Sequence, residues 1–327
     1  MQFPDPDDRA DLRRKEPDSL SNITSKSETA PILLVFGPTA SGKTGAAIAL
    51  AKKTGGEVIN ADSMQLYQGL PILTALPSKD EQDGVPHHLF GTVEANARWS
   101  TGTWLKAALH EIEQIRSRGQ QPILVGGTGL YFEALTKGLA KIPPVSEKTK
   151  QQVAALADDK GLDYIREQLQ NVDPAAAARI QGADRQRLLR AWSVYLQTGQ
   201  SLSTFQQNTK PLLAAGDWQS AVILPQRQTV YQRINARFDQ MMNDGALEEV
   251  QAFQARWDDR SLPLYKAIGV QSLLQFMDGK LSLDAAVEDA KRQSRRYAKR
   301  QMTWARGRTQ SWQHVADADA VCSVLLS

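Results

Sequence analysis

One run constrains the fold more than any other: Ile32-Leu-Leu-Val-Phe36 leads into Gly37-Pro38-Thr39-Ala40-Ser41-Gly42-Lys43-Thr44, and an Ala-rich stretch follows to Lys53. A short continuous apolar run reads as a strand buried on both faces, and the Ala-rich stretch reads as a helix. Gly, four residues, then Gly-Lys-Thr between strand and helix is the spacing of a phosphate-binding loop. Its glycines let backbone N–H groups approach phosphate oxygens, Lys43 adds positive charge, and Thr44 offers a hydroxyl to Mg²⁺. The loop alone leaves ATP, GTP and other diphosphates open.

The strand-helix alternation continues. Glu57-Val-Ile-Asn60 is a second short strand ending at Ala61-Asp62-Ser63, and Pro122-Ile-Leu-Val125 is a third ending at Gly126-Gly-Thr128-Gly129, after a helical stretch from Thr103 to Arg118. Such alternation implies an α/β fold, a parallel sheet flanked by helices with ligands at the carboxyl ends of its strands. Asp62, Thr128 and the phosphate loop are therefore expected on one rim. From Pro143 the pattern turns to helix after helix, at 146–156, 162–169, 174–180 and 185–196, before Ser220-Ala-Val-Ile-Leu224 restores a strand. The expected organisation is a core of residues 31–141 and 219–327, interrupted by an all-helical insertion at 142–218. Residues 1–30, rich in Asp, Ser, Pro, Arg and Lys, read as a disordered leader outside the fold.

At 327 residues the chain is long enough for a large core, and a net charge of +3 means that any nucleic-acid binding rests on a local basic surface. Cys322 is the single cysteine, so there is no disulfide framework, and no Cys/His cluster has zinc-ligand spacing. No apolar run approaches membrane-spanning length and the N-terminus has no signal-like apolar region, which makes a cytoplasmic location the expectation.

Two absences narrow the phosphate ligand. The chain has no Asn-Lys-x-Asp element for reading guanine, and the strand at Ile123 to Val125 runs into Gly126-Gly127-Thr128 instead of an acidic Mg²⁺ ligand. Asp62, at the end of the second strand, can serve as a general base or a metal ligand, or simply as a helix N-cap. A small-molecule kinase remains compatible with these residues. At the other end, Lys291 to Arg308 holds eight basic residues and no acidic one, with Arg292, Arg295, Arg296 and Lys299 at helical spacing and Tyr297 and Trp304 interleaved. That pattern suits a nucleic-acid backbone, or else a solvated helix face. A shorter basic cluster, Arg179, Arg185, Arg187 and Arg190, lies in the insertion. His87-His88 reads as structural and Cys322 as inert.

Taken in order, six segments resemble the bacterial tRNA isopentenyltransferase (tRNA dimethylallyltransferase) family: Gly37 to Thr44, Asn60-Ala-Asp-Ser-Met-Gln-Leu-Tyr67, Pro86-His-His-Leu89, Val125-Gly-Gly-Thr-Gly-Leu-Tyr131, Asp184-Arg-Gln-Arg-Leu-Leu-Arg-Ala191 and Tyr297-Ala-Lys-Arg-Gln-Met-Thr-Trp304. The resemblance implies a P-loop NTPase-like fold, Mg²⁺ as cofactor, and transfer of a dimethylallyl group from its diphosphate to N6 of the adenine next to the anticodon of tRNA. It implies Asp62 as base, with Lys43 and Thr128 completing the catalytic set. The phosphate loop with Arg227 would hold the diphosphate, and Thr44 the metal. Asp62, Ser63, Met64 and Gln65 would meet the target base, and Thr128 would contact the diphosphate near the bond that breaks as well as the tRNA. Lys150, Gln186, Arg187, Leu188, Leu189, Arg190, Lys299, Arg300, Gln301 and Thr303 would contact the anticodon stem-loop, which the insertion would clamp. One asymmetric tRNA loop per site suits a monomer. The chain departs from the family pattern at Gln68, Leu73, Leu76, Val270 and Gln271, at Phe90-Gly91, and at Ser100 to Trp104. If the protein had kept only RNA binding, it would need no diphosphate.

Overall fold

The computed structural model describes residues 30–207 and 209–327. The expected leader lies almost wholly outside the described residues. The chain begins with β1 (Ile32–Phe36), α1 (Lys43–Thr54), β2 (Glu57–Asn60), two short helices α2 (Pro71–Thr74) and α3 (Lys79–Gln82), and β3 (His87–His88). It continues with α4 (Thr101–Ser117), β4 (Pro122–Gly126), α5 (Gly129–Lys137), then the helices α6 (Glu147–Val172), α7 (Pro174–Arg179), α8 (Arg185–Thr198) and α9 (Leu202–Gln207). The last part is β5 (Trp218–Ile223), α10 (Arg227–Asn243), α11 (Ala246–Arg256), α12 (Val270–Met277), α13 (Leu283–Arg308), β6 (Gln313–Val315) and α14 (Ala320–Leu325).

The strands form one sheet in the order β3-β2-β4-β1-β5-β6, and every pairing is parallel. All five residues of β1 are buried because both faces are covered. The period-2 alternation of a strand divides them. Ile32, Leu34 and Phe36 join the apolar layer that includes α4, α5 and α11 to α13, while Leu33 and Val35 join the layer under α1 and α14. β4 and β5 split the same way, with Leu124 and Val222 in the first layer and Ile123 and Ile223 in the second. Truncating such a side chain to Ala costs about 2–5 kcal/mol.

Helices α6 to α9 fall within the stretch expected as an insertion, and they carry an apolar cluster of Val153, Ile165, Leu169, Leu188 and Trp192. The sequence reads two helices at 146–156 and 162–169; these are the halves of α6, kinked at Gly161, whose φ of 83° and ψ of 169° are not helical. The chain enters and leaves this segment side by side: the N–H groups of Leu212 and Leu213 donate to the Leu135 carbonyl, and the Lys210 backbone packs against Gly138. β5 begins at Trp218, one residue before the expected boundary. The edge strands β3 and β6, of two and three residues, escape sequence reading because periodicity has no length in which to show. Among the described residues no helix is long and apolar enough to cross a membrane.

Candidate active site

Parallel register brings three loops to one rim. Phe36 is in register with Gly126, and Asn60 with Val125. Gly37 N–H donates to the Gly126 carbonyl at 3.2 Å, and Thr128 N–H to the Ala61 carbonyl at 3.2 Å. The phosphate loop, Asp62 and Thr128 therefore share the rim that sequence reading assigns them.

The phosphate loop is left-handed at Ala40 (φ 61°) and Gly42 (φ 88°). Gly42 caps α1 without any side-chain hydrogen bond, and the first turn of α1 has no acidic residue. That helix end thus keeps N–H groups for an anion. The Ser41 hydroxyl is buried and has no hydrogen-bond partner among the described residues. Lys43 is half-buried and its ammonium lies 3.4 Å from the Pro38 carbonyl. Burial lowers its pKa from 10.5 to about 8; the Asp62 carboxylate partly restores it, and Arg237 pushes it down further. A cavity of about 280 Å³ holds Lys43, Thr44, Asp62, Ser63 and Arg237 beside an apolar wall of Met64, Leu73, Ile234, Phe238 and Met241. A second cavity of about 720 Å³ shares Lys43, Thr44, Ala75 and Arg237 with it and extends along Ser41, Gly42 and Arg233.

A polar relay fixes Asp62. Fully buried Asn60 accepts the Asp62 N–H at 2.7 Å and donates to the Asp62 and Leu89 carbonyls, both at 3.0 Å. The Asp62 carboxylate accepts the Met64 N–H at 3.1 Å, closing a turn and not a helix N-cap, since no helix starts there. Ser63 N–H donates to the Thr128 hydroxyl at 3.0 Å, and the Tyr297 hydroxyl faces Thr128 from α13. Burial, and then the Asp62 charge, push the Tyr297 pKa upward, so it stays a neutral donor.

Several expected site residues stand elsewhere. Arg227 is exposed at the start of α10 and lines neither cavity; the same helix turns Arg237 into the site instead. Burial lowers the Arg237 pKa, opposed by Glu81 and Asp62. Its signal in the sequence is a cation set in the apolar stripe of Ile234, Phe238 and Met241. Gln65 lines the cavity, but its amide already donates to the carbonyls of Thr74 (3.0 Å) and Ala75 (2.6 Å). Leu188 is fully buried in the helical cluster and Leu189 packs against it, so these two side chains build the core of that segment. Gln186, Arg187 and Arg190 are exposed, as are Lys150, Lys299, Arg300 and Thr303. Gln301 is only 4% exposed and faces inward.

The basic stripe on α13 is less free than its sequence suggests. Lys291 pairs with Asp239 (2.6 Å) and Glu288 (3.1 Å), Arg292 with Asp289, and Arg308 with Glu133 (3.1 Å), while Arg295 donates to Asn235 at 2.6 Å. Of the two interleaved aromatic residues, Tyr297 meets a cation, with the Arg300 guanidinium 5.5 Å from its ring centre, while Trp304 turns into the core. Tyr297 lines the cavity, and Trp304 packs against Phe36 and over Gly129. Arg296, Lys299, Arg300 and Arg306 are exposed and pair with no carboxylate among the described residues. In the insertion, Arg185 pairs with Asp158 at 2.7 Å and Arg187 with Asp184 at 3.2 Å. His88, in the short edge strand β3, sits between Glu57 (2.6 Å) and Glu111 (3.2 Å). Cys322 is buried under α1.

Comparison with known proteins gives the family. A family model described as IPP transferase matches residues 65–308, and one described as isopentenyl transferase matches 30–88. The tRNA dimethylallyltransferase of Maricaulis maris is 48% identical over 90% of this chain and 96% of its own. That of a Caulobacter species is 50% identical over 87% and 92%. The full-length tRNA isopentenylpyrophosphate transferase of Bacillus halodurans superposes with a TM-score of 0.64 at 32% identity, covering 90% of this chain and 94% of that one. A eukaryotic dimethylallyltransferase captured acting on tRNA gives 0.75 at 27% identity, covering 89% and 74%. A phosphate loop, a strand-end aspartate and a threonine on one rim of a P-loop NTPase-like sheet, matched along nearly the whole described chain, place this protein in the tRNA dimethylallyltransferase family.

Proposed function

We propose that this protein transfers a dimethylallyl group from dimethylallyl diphosphate to N6 of the adenine next to the anticodon of a tRNA, releasing pyrophosphate. The observation that carries the reading is the juxtaposition of the Asp62 carboxylate with Lys43 and Arg237 in one cavity that also has an apolar wall. That wall suits a prenyl tail and a flipped base.

The carbon–oxygen bond to the diphosphate breaks as the bond from the prenyl carbon to N6 forms, and the electron pair leaves with pyrophosphate. Lys43, Arg237 and the N–H groups of the phosphate loop and α1 receive that growing charge. The exocyclic amine is a weak nucleophile because its lone pair is delocalised into the ring, and Asp62 takes its proton. Thr128, bonded to Ser63, and Tyr297, which faces it, position the acceptor. Mg²⁺ fits these residues: the Thr44 hydroxyl lines both cavities, and among the described residues no cluster of three His, Cys, Asp or Glu forms a cage of its own. Mg²⁺ keeps waters and binds through substrate phosphates with few protein oxygens. When bound it would neutralise the diphosphate.

The exposed Arg187 and Arg190 of the insertion and Lys299, Arg300 and Thr303 of α13 supply the tRNA contacts, with Gln186 and Lys150 beside the first group. One asymmetric loop per site suits a cytoplasmic monomer. The test is incubation with unmodified tRNA, Mg²⁺ and dimethylallyl diphosphate, followed by nucleoside mass analysis. An adenosine gaining one isoprene unit supports the reading; an unchanged nucleoside pool defeats it.

A further inference from the structure

Helix α13 meets the β4–α5 loop through one face. Tyr297 faces Thr128, Gln301 lies on Gly127 and Trp304 covers Gly129, a 4-then-3 residue spacing that keeps the three on one side of the helix. Lys299 is exposed on the same turn, and Arg300, also exposed, reaches the rim of the cavity beside the Tyr297 ring. Gln301 differs from its neighbours because both ends of its amide are used across the site. Its oxygen accepts the Thr39 N–H of the phosphate loop at 2.9 Å, and its NH₂ donates to the Gly127 carbonyl at 2.9 Å.

The Gly127 peptide immediately precedes Thr128, and Thr39 lies within the phosphate loop. A Cβ at Gly127 would run into the Gln301 amide and come within 3.1 Å of the Gly37 carbonyl, so this glycine makes room for the bridge. We propose that Gln301 is a positioning residue: a clip that sets the phosphate loop, which receives the leaving group, against the loop that holds Thr128 beside the acceptor. This departs from the tRNA contact that the resemblance implies for it. The proposal rests on the transferase reading, yet its test has a part that does not.

The amide fits because it offers one acceptor and one donor in a fixed orientation. A neutral carboxylic acid offers the same pair, and a carboxylate offers no donor. Three proteins are compared, the wild type, Gln301→Ala and Gln301→Glu, with donor affinity measured by calorimetry, tRNA affinity by filter binding, and transfer kinetics across pH. For Gln301→Ala the clip predicts weaker donor binding and a kcat/KM lower by about ten- to a hundred-fold, the scale of small misplacements in an active site. Affinity for tRNA should be unchanged. For Gln301→Glu, kcat/KM relative to wild type should climb as pH falls and the carboxyl becomes neutral. Loss of tRNA affinity with unchanged donor binding would overturn the proposal in favour of a tRNA contact. A Gln301→Glu to wild-type ratio flat across pH would overturn it too, and this arm decides alone if Gln301→Ala fails to fold. Should wild type transfer nothing, the transferase reading fails, and the calorimetric comparison still judges the clip.

Discussion

Lys43 should cost the free protein stability, and its replacement should reveal how much. Burial lowers its pKa from 10.5 to about 8 against the pull of Asp62, so at neutral pH the folded protein carries an ammonium that the environment resists. At about 1.36 kcal/mol per pKa unit the penalty is about 3 kcal/mol, an upper bound because neighbours relax. The sign follows from linkage. Between the two pKa values the unfolded chain binds more protons than the folded one, so stability rises with pH there. The penalty is therefore complete below pH 8 and vanishes above the ordinary lysine value. Lys43→Met removes the charge and keeps the aliphatic stem. Urea unfolding at pH 7 should show the variant more stable than wild type by up to about 3 kcal/mol, and by about 1 kcal/mol at pH 10. Transfer activity should be lost. A variant less stable than wild type at pH 7, or one whose difference is the same at pH 7 and pH 10, would refute the reasoning.

Further outcomes follow from the same geometry. Asp62→Asn keeps an oxygen for the Met64 N–H, so tRNA affinity should hold while kcat falls by about 10²- to 10⁴-fold, the range of general-base catalysis; equal loss of both would make Asp62 structural. Arg237→Ala should raise the KM for dimethylallyl diphosphate more than that for tRNA, whereas Arg227→Ala should do neither, as steady-state kinetics will show. Because the free Lys43 loses its proton near pH 8, the donor KM should rise above that pH in the wild type. Replacing Lys299 and Arg300 by Ala should weaken tRNA binding and lower the salt slope by about 1 to 2, while Arg292→Ala, which removes a cation paired with Asp289, should change the slope little.

What the sequence made legible was what short spacing encodes. Gly37 to Thr44 carries its own conformation between a strand and a helix, and Asp62 and Thr128 are found by following the ends of apolar runs. The periodicity of the insertion shows its helices, including the break at Gly161. Hidden were the properties set by distant partners. Eight cations in Lys291 to Arg308 look unbalanced because Asp239 and Glu133 belong to other helices. Tyr297, Gln301 and Trp304 look like surface residues between cations until α13 is seated on the three-residue stretch from Gly127 to Gly129. Arg237 is found only once α10 is laid against the rim, and the same contact leaves Arg227 outside. Glu249 caps α2 by accepting the N–H groups of Ile72 (2.7 Å) and Leu73 (3.0 Å) from far along the chain, a cap with no local pattern.

The account stands on the identity of the group that moves. Dimethylallyl diphosphate labelled with one isotope in the prenyl carbons and another in the phosphates, incubated with the protein, Mg²⁺ and unmodified tRNA, reads it directly. The account predicts carbon label in an adenosine of the tRNA and phosphorus label in released pyrophosphate. Phosphorus label appearing on the acceptor, or carbon label remaining entirely in small molecules, would contradict it.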